Sequence, residues 1–170
     1  MKTSEFIVED VKLLAPDFLP DYWPNLALES FPRFCGPGAG FADRLIPETM
    51  YGLVVSAACF IHDICWCVAD ATWAAFHHSN SMFLHNILAI VDARSGRLLK
   101  IFRRNRALFY YFAVDTIGAH YFWRDKEEFG NYNVPIAHPV VVEKLSLLGV
   151  SVPSLNITKP LAGLCQPLAG

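Results

Sequence analysis

The most apolar window of the chain, Tyr51 to Phe76, decides what it can fold into. It is long enough to suggest a membrane span, which takes about 20 apolar residues. It also carries His62, Asp63 and Asp70, and a charge at mid-span costs about 3 kcal/mol on insertion scales. Burial inside a protein, as a pair of helical segments, is therefore expected. The composition agrees: 54% of the 170 residues are hydrophobic and 18% charged, too apolar for a disordered chain and enough for one domain with a sizeable core. The positive mean hydropathy leaves two readings open, core packing and a surface that meets a membrane or a partner.

Punctuation along the chain gives the layout. Residues 1–33 hold a short amphipathic piece around Phe6–Leu14, then Pro16, Pro20, Pro24 and Pro32, and read as an arm or cover. Cys35–Gly40 must be a loop, with three glycines and a proline in six residues. Pro47 followed by Glu48 suits a helix start, and the apolar run to about Cys67 reads as the first core helix. A second helix is predicted over His77–Ala93, with Asn80, Phe83, Leu84, Ile87 and Val91 on its buried stripe. Ser95-Gly96 turns the chain into a third, aromatic-rich helix over about Asn105–Trp123, read as core rather than a ligand cage. A short helix with Pro139 early and Gly149 as its stop follows, and the last twenty residues read as extended. The expected class is all-α with irregular ends: one domain, with a helical core over 34–128 and an extension over 129–170.

The net charge of −2 gives no global pull toward nucleic acid, and none is expected as a partner. Locally, Arg94 to Arg106 gathers six basic residues. They form either a solvated helix face or a surface for anions such as lipid headgroups or, as a local exception, nucleic acid. The N-terminus lacks the unbroken apolar stretch of a signal peptide. A cytoplasmic location is the default expectation, with non-classical export as the alternative. The five cysteines then default to reduced thiols.

Chemistry concentrates around His62. On a helix, Cys59, His62 and Trp66 share a face, and Cys59 stacks with Asp63. Asp63 lies about 100° round from His62, so both can address one cleft. A neutral imidazole is a general base suited to pH near 7. A carboxylate beside it can hold a hard cation through oxygen. A glycine loop can turn carbonyls toward that ion, or offer an N–H to a developing oxyanion. These are parts for ester hydrolysis by activated water.

The loop "CGPGAG" (Cys35–Gly40), the segment "PETMYG" (Pro47–Gly52) and the helix motif "ACFIHDIC" (Ala58–Cys65) together resemble the phospholipase A2 superfamily, in particular its bacterial and prophage-borne proteins. The matched core runs from about Cys35 to Val91. The resemblance implies a core of two antiparallel helices and hydrolysis of a phospholipid acyl ester with Ca2+ assistance. It implies His62 as the general base and Asp63 as a calcium ligand. The carbonyls near Phe34, Gly36 and Gly38 would join Asp63, and the Gly36 N–H would face the oxyanion. It aligns Asn80 with the family's orienting carboxylate and Trp66 with a supporting tyrosine. A Cys35–Cys59 bridge is plausible by the same analogy.

Three departures bear on activity. Asn80 carries no charge, Trp66 has no hydroxyl, and Ala58 replaces the first cysteine of the motif. Two functions from different classes follow: a calcium-assisted lipase, or a catalytically weak PLA2-like scaffold that binds lipid or a protein partner. Other candidates carry less. His77, His78 and His85 lack the acid or cysteine pattern of a zinc site. Cys65 and Cys67 have no second pair. Asp115, within the aromatic helix, either orients something polar in the core or, as the plainer reading, makes core hydrogen bonds. Asn156-Ile-Thr158 fits a glycosylation sequon, which matters only after secretion.

Overall fold

The computed structural model describes residues 1–23, 35, 49–129 and 138–150. It is mostly helical, with two small antiparallel sheets among the described residues. The sheets depart from the all-α expectation. β1 (Thr3–Val8) and β2 (Val11–Pro16) form a hairpin in which Val8 faces Val11. Its turn, Glu9-Asp10, has φ of 47° and 65°, the doubly positive pattern of a tight hairpin turn. The amphipathic piece is thus two strands reversed at its middle. Val11, Leu13 and Ala15 are buried while Lys12 is exposed, the period of two that a half-buried strand imposes. A single turn of helix, α1 (Leu19–Tyr22), follows and buries Leu19.

A second hairpin, β3 (Thr49–Met50) with β4 (Leu53–Val54), turns at Tyr51-Gly52 with φ of 49° and 76°. Pro47 and Glu48, the expected helix start, lie outside the described residues, but the turn corrects the expectation of one helix running from there to Cys67. Two left-handed residues in succession cannot lie inside a right-handed helix, so the helix begins only after Val55. The first core helix is α2 (Ser56–Val68). It is buried on nearly every side, Phe60, Ile61 and Ile64 completely, because it is central: the β1–β2 hairpin and helices α3, α5 and α6 all pack on it.

Helix α3 (Trp73–Arg94) starts one turn before the predicted His77. Thr72 is the reason: its Oγ1 accepts the Ala75 N–H at 3.1 Å, a cap worth about 1 kcal/mol. Asn80, Phe83, Ile87 and Val91 are buried as the spacing predicts, and Leu84 is partly buried. Asn86, a residue the stripe omits, fixes the N-terminal hairpin. Its Nδ2 donates to the Leu14 carbonyl at 2.8 Å and its Oδ1 accepts the Leu14 N–H at 2.7 Å. One side chain thereby satisfies the outward backbone pair of a buried strand.

The predicted third helix is two: α4 (Arg97–Thr116) and α5 (Gly118–Phe129). At the joint, a Cβ on Gly118 would lie 2.5 Å from the Trp66 ring. The absent side chain lets α5 close onto α2. Helix α4 also departs from the core reading. Leu98, Ile101, Phe102, Leu108, Phe109 and Phe112 are exposed, while Arg103, Ala107 and Tyr110 are buried. Arg103 donates to the carbonyls of Met50, Tyr51 and Arg94 and to Ser95 Oγ, tying the β3–β4 turn to the α3–α4 corner. Arg94 pairs with Glu9, and Arg104 and Lys100 pair with Asp92. Four of the six basic residues, Arg94, Lys100, Arg103 and Arg104, are therefore engaged within the molecule. The last helix, α6 (Pro139–Leu147), keeps the predicted proline and stop. Gly149 has φ 76°, and the Gly149 and Val150 N–H groups bond back to Ser146 and Leu145. No helix among the described residues is long and apolar enough to cross a membrane. The final twenty residues, Asn156 among them, lie outside the described residues.

Candidate functional site

Helix α2 presents His62 to α3, and the two helices enclose it. The residue is 5% exposed. It lies between Trp66, at 4.4 Å between centroids, and Phe83, at 4.5 Å. Aromatic walls on two sides leave the imidazole little rotational freedom, so its hydrogen bond is directional. That bond goes to Asn80, whose Oδ1 lies 2.9 Å from His62 Nε2.

The neighbours of Asn80 settle which nitrogen carries the proton. Trp66 Nε1–H donates to the same Oδ1 at 3.0 Å, and an indole N–H can only donate. The amide Nδ2 donates to Asp115 Oδ1 at 2.9 Å. Both contacts orient Asn80 with its oxygen toward His62. An oxygen acceptor requires a donor, so the proton of the neutral ring is on Nε2 and the lone pair on Nδ1. His77 Nδ1 lies 2.9 Å from the same Asp115 oxygen, extending the chain His62–Asn80–Asp115–His77 to the surface.

This arrangement revises what the sequence implied about two departures. Asn80 brings no charge, but Asp115 of α4 brings one a single bond further out, and its pull on Nδ2–H makes Oδ1 a better acceptor. Trp66 lacks a hydroxyl, but its N–H supplies the donor that fixes Asn80. Of the two readings of Asp115, the structure favours the one in which it orients a polar group, Asn80. The available signal was that it is the one acid between Asp92 and Asp125.

The electrostatics keep His62 neutral. Burial lowers its proton affinity below the ordinary histidine value. Asp63 and the Asn80 bond act in the opposite sense without cancelling burial, and Lys144 adds to the lowering. For Asp115, burial pushes the pKa up, but the hydrogen bonds from Asn80 and His77 outweigh it and hold the acid below its usual range.

Asp63 faces another way. Its side chain is 30% exposed, and its Oδ2 accepts from Lys144 Nζ of α6 at 2.6 Å. Lys144 went unnoticed in the sequence because only packing of α6 against α2 brings it there. The Cys35–Cys59 disulfide joins position 35 to the first turn of α2, with Cα atoms 5.2 Å apart. The loop positions Phe34, Gly36 and Gly38 lie outside the described residues.

A second polar group gathers at the far end of α2. Cys67, Asp125 of α5 and His138, the residue before α6, bring one ligand atom each to within 4.8 Å of one another. Burial raises the Asp125 pKa to about 6 and, as the first cause, lowers that of His138 to about 4. Lys126 donates to the Trp66 and Cys67 carbonyls at the end of α2 and lies 3.7 Å from Asp125 Oδ2. Sequence spacing had no means to find this trio, because its members are 58 and 13 positions apart. Comparisons with protein-family models, with curated proteins and with solved structures gave no match.

Proposed function

We propose that the chain is a phospholipase A2-like hydrolase that cleaves an acyl ester with water activated by His62. The observation that carries this reading is the tautomer. Asn80 and Trp66 hold the imidazole proton on Nε2, which leaves Nδ1 as the base. As Nδ1 takes a proton from water, the ring becomes cationic, and Asp115 lies on the far side of Asn80 to stabilise it. Neutral His62 is ready for that role around pH 7. A lipid rather than a soluble ester is favoured by α4, whose exposed leucines, isoleucine and phenylalanines are flanked by Arg97 and Arg104. The disulfide favours an oxidising compartment.

Calcium, which the resemblance implies, would polarise the ester carbonyl. Among the described residues Asp63 is its candidate ligand, and its Oδ2 is engaged by Lys144. A calcium shell takes 6–8 oxygens, so one engaged carboxylate does not make the site. The Lys144–Asp63 pair favours the second reading, a PLA2-like scaffold that binds lipid without turnover.

The test is fatty-acid release from mixed phospholipid vesicles, with calcium or chelator, by the wild type and His62→Ala. Release that the substitution abolishes supports the hydrolase. Vesicle binding without release by either protein supports the scaffold.

A further inference from the structure

We propose that Cys67, Asp125 and His138 form a binding site for a thiophilic divalent cation, zinc foremost. The donor atoms come from three separate elements, the last turn of α2, α5 and the residue preceding α6, and all lie within 4.8 Å of one another. They converge without hydrogen-bonding each other. His138 Nε2 and Asp125 Oδ2 are 3.8 Å apart, too far for a hydrogen bond. That separation is close to an edge of a tetrahedral zinc site, about 3.3–3.8 Å for bonds of roughly 2.0–2.3 Å. Asp125 Oδ2 is buried with no hydrogen-bond donor among the described residues. The Lys126 ammonium, at 3.7 Å, and the His138 imidazole, at 3.8 Å, both stop short of hydrogen-bonding distance from this oxygen.

The donor set selects the metal. Sulfur and imidazole suit zinc and its neighbours in the first transition row and disfavour calcium and magnesium, which take oxygen shells. Binding converts the Cys67 thiol to a thiolate, with its proton released to solvent. Thiolate and carboxylate together balance the charge of the dication. Lys126 adds a positive charge nearby, but its ammonium is anchored on the two carbonyls that end α2, where the helix dipole is negative. A bound ion would clamp the start of α6 to α2, and α6 carries Lys144 to Asp63. The inference is independent of the hydrolase reading.

Cobalt(II) supplies the test, as a coloured substitute for zinc. Full-length, disulfide-intact protein is freed of metal with chelator and titrated with Co2+ alone. The expected result is one equivalent bound, with a thiolate-to-cobalt absorption in the near ultraviolet that Zn2+ bleaches. Cys67→Ser should abolish that band, and Cys65→Ser, two residues back on the same helix, should keep it. Asp125→Asn preserves shape and should weaken Zn2+ binding by at least about tenfold, since even groups behind the ligands cost that much. Should Cys67→Ser fail to fold, loss in Asp125→Asn of the thermal shift that Zn2+ gives the wild type decides the matter. Absence of the thiolate band in the wild type, its survival in Cys67→Ser, or an undiminished shift in Asp125→Asn would overturn the proposal.

Discussion

Two buried histidines pack along α2, His62 at its middle and His138 beside Cys67 in its last turn, and they are equipped differently. Around His62 the donors and acceptors match: indole N–H, amide and carboxylate form one chain that fixes a tautomer. Around His138 the polar atoms converge but do not bond to one another. The contrast teaches how burial is compensated. A buried polar group is costly unless it is paired. The first cluster meets that cost with hydrogen bonds among its own members, and the second brings a thiol, a carboxylate and an imidazole within 4.8 Å of one another, the donor set of the proposed cation site.

The largest expected effect bears on the first cluster. Removing a general base costs about 10²–10⁴ in rate, so His62→Ala should lower fatty-acid release by that factor. Its Co2+ spectrum should match the wild type. A joint loss of both properties would mean that the two clusters are not separate.

Next is Asn80→Asp. The sequence alone suggests that restoring an acid raises activity. The structure predicts otherwise, because the new carboxylate would meet Asp115 at the 2.9 Å now spanned by a hydrogen bond. Two carboxylates at that distance must share a proton. The single variant should lose about 1–3 kcal/mol of stability at neutral pH, measured by urea denaturation. Asn80→Asp combined with Asp115→Asn should recover it and raise activity above the wild type. Equal stability of the single variant and the wild type would refute the chain of bonds.

Gly118→Ala is expected to cost about 1–3 kcal/mol by overpacking against Trp66. Trp66 would also be pushed off Asn80, so the rate should fall more than in a variant of equal instability elsewhere, such as Asn86→Ala. Equal losses in the two would reduce Trp66 to packing.

The smallest effects are electrostatic. Lys144 lowers the proton affinity of His62 and occupies Asp63. Lys144→Met should therefore move the acid limb of the pH–rate profile upward and increase the response to calcium. In the wild type that limb should fall below the ordinary histidine value of 6.5, because burial lowers the folded-state pKa. The same sign governs stability. Between its lowered pKa and 6.5 the folded His62 binds fewer protons than the unfolded one. Stability from this group is thus complete above 6.5 and is lost as pH falls through that window. His62→Phe should flatten this part of the stability profile; an unchanged slope would assign the titration elsewhere.

Legibility in the sequence followed range. The stripe Asn80, Phe83, Ile87, Val91 and the stop at Gly149 were readable because helix periodicity and left-handed glycine are local. The Tyr51-Gly52 turn was also local but was masked by the apolar run around it. Two outcomes lay beyond local rules. Arg103 reads as one more surface arginine and is buried on carbonyls that lie up to 53 positions away. The aromatic residues of α4 read as core, yet many face outward, because composition does not say which face of a helix finds a partner.

The sequence by itself determined that α2 would be buried with His62 and Asp63 upon it, since charges in an apolar run must find protein partners. It also placed Asn80 on the buried stripe of the next helix by spacing alone. Only the tertiary structure decided the partners: Asp115 behind Asn80, Lys144 on Asp63, and Cys67 beside Asp125 and His138. The physical reason is reach. A hydrogen bond or ion pair acts over about 3 Å, and which groups come that close across 35 to 81 positions of chain is fixed by how the helices pack.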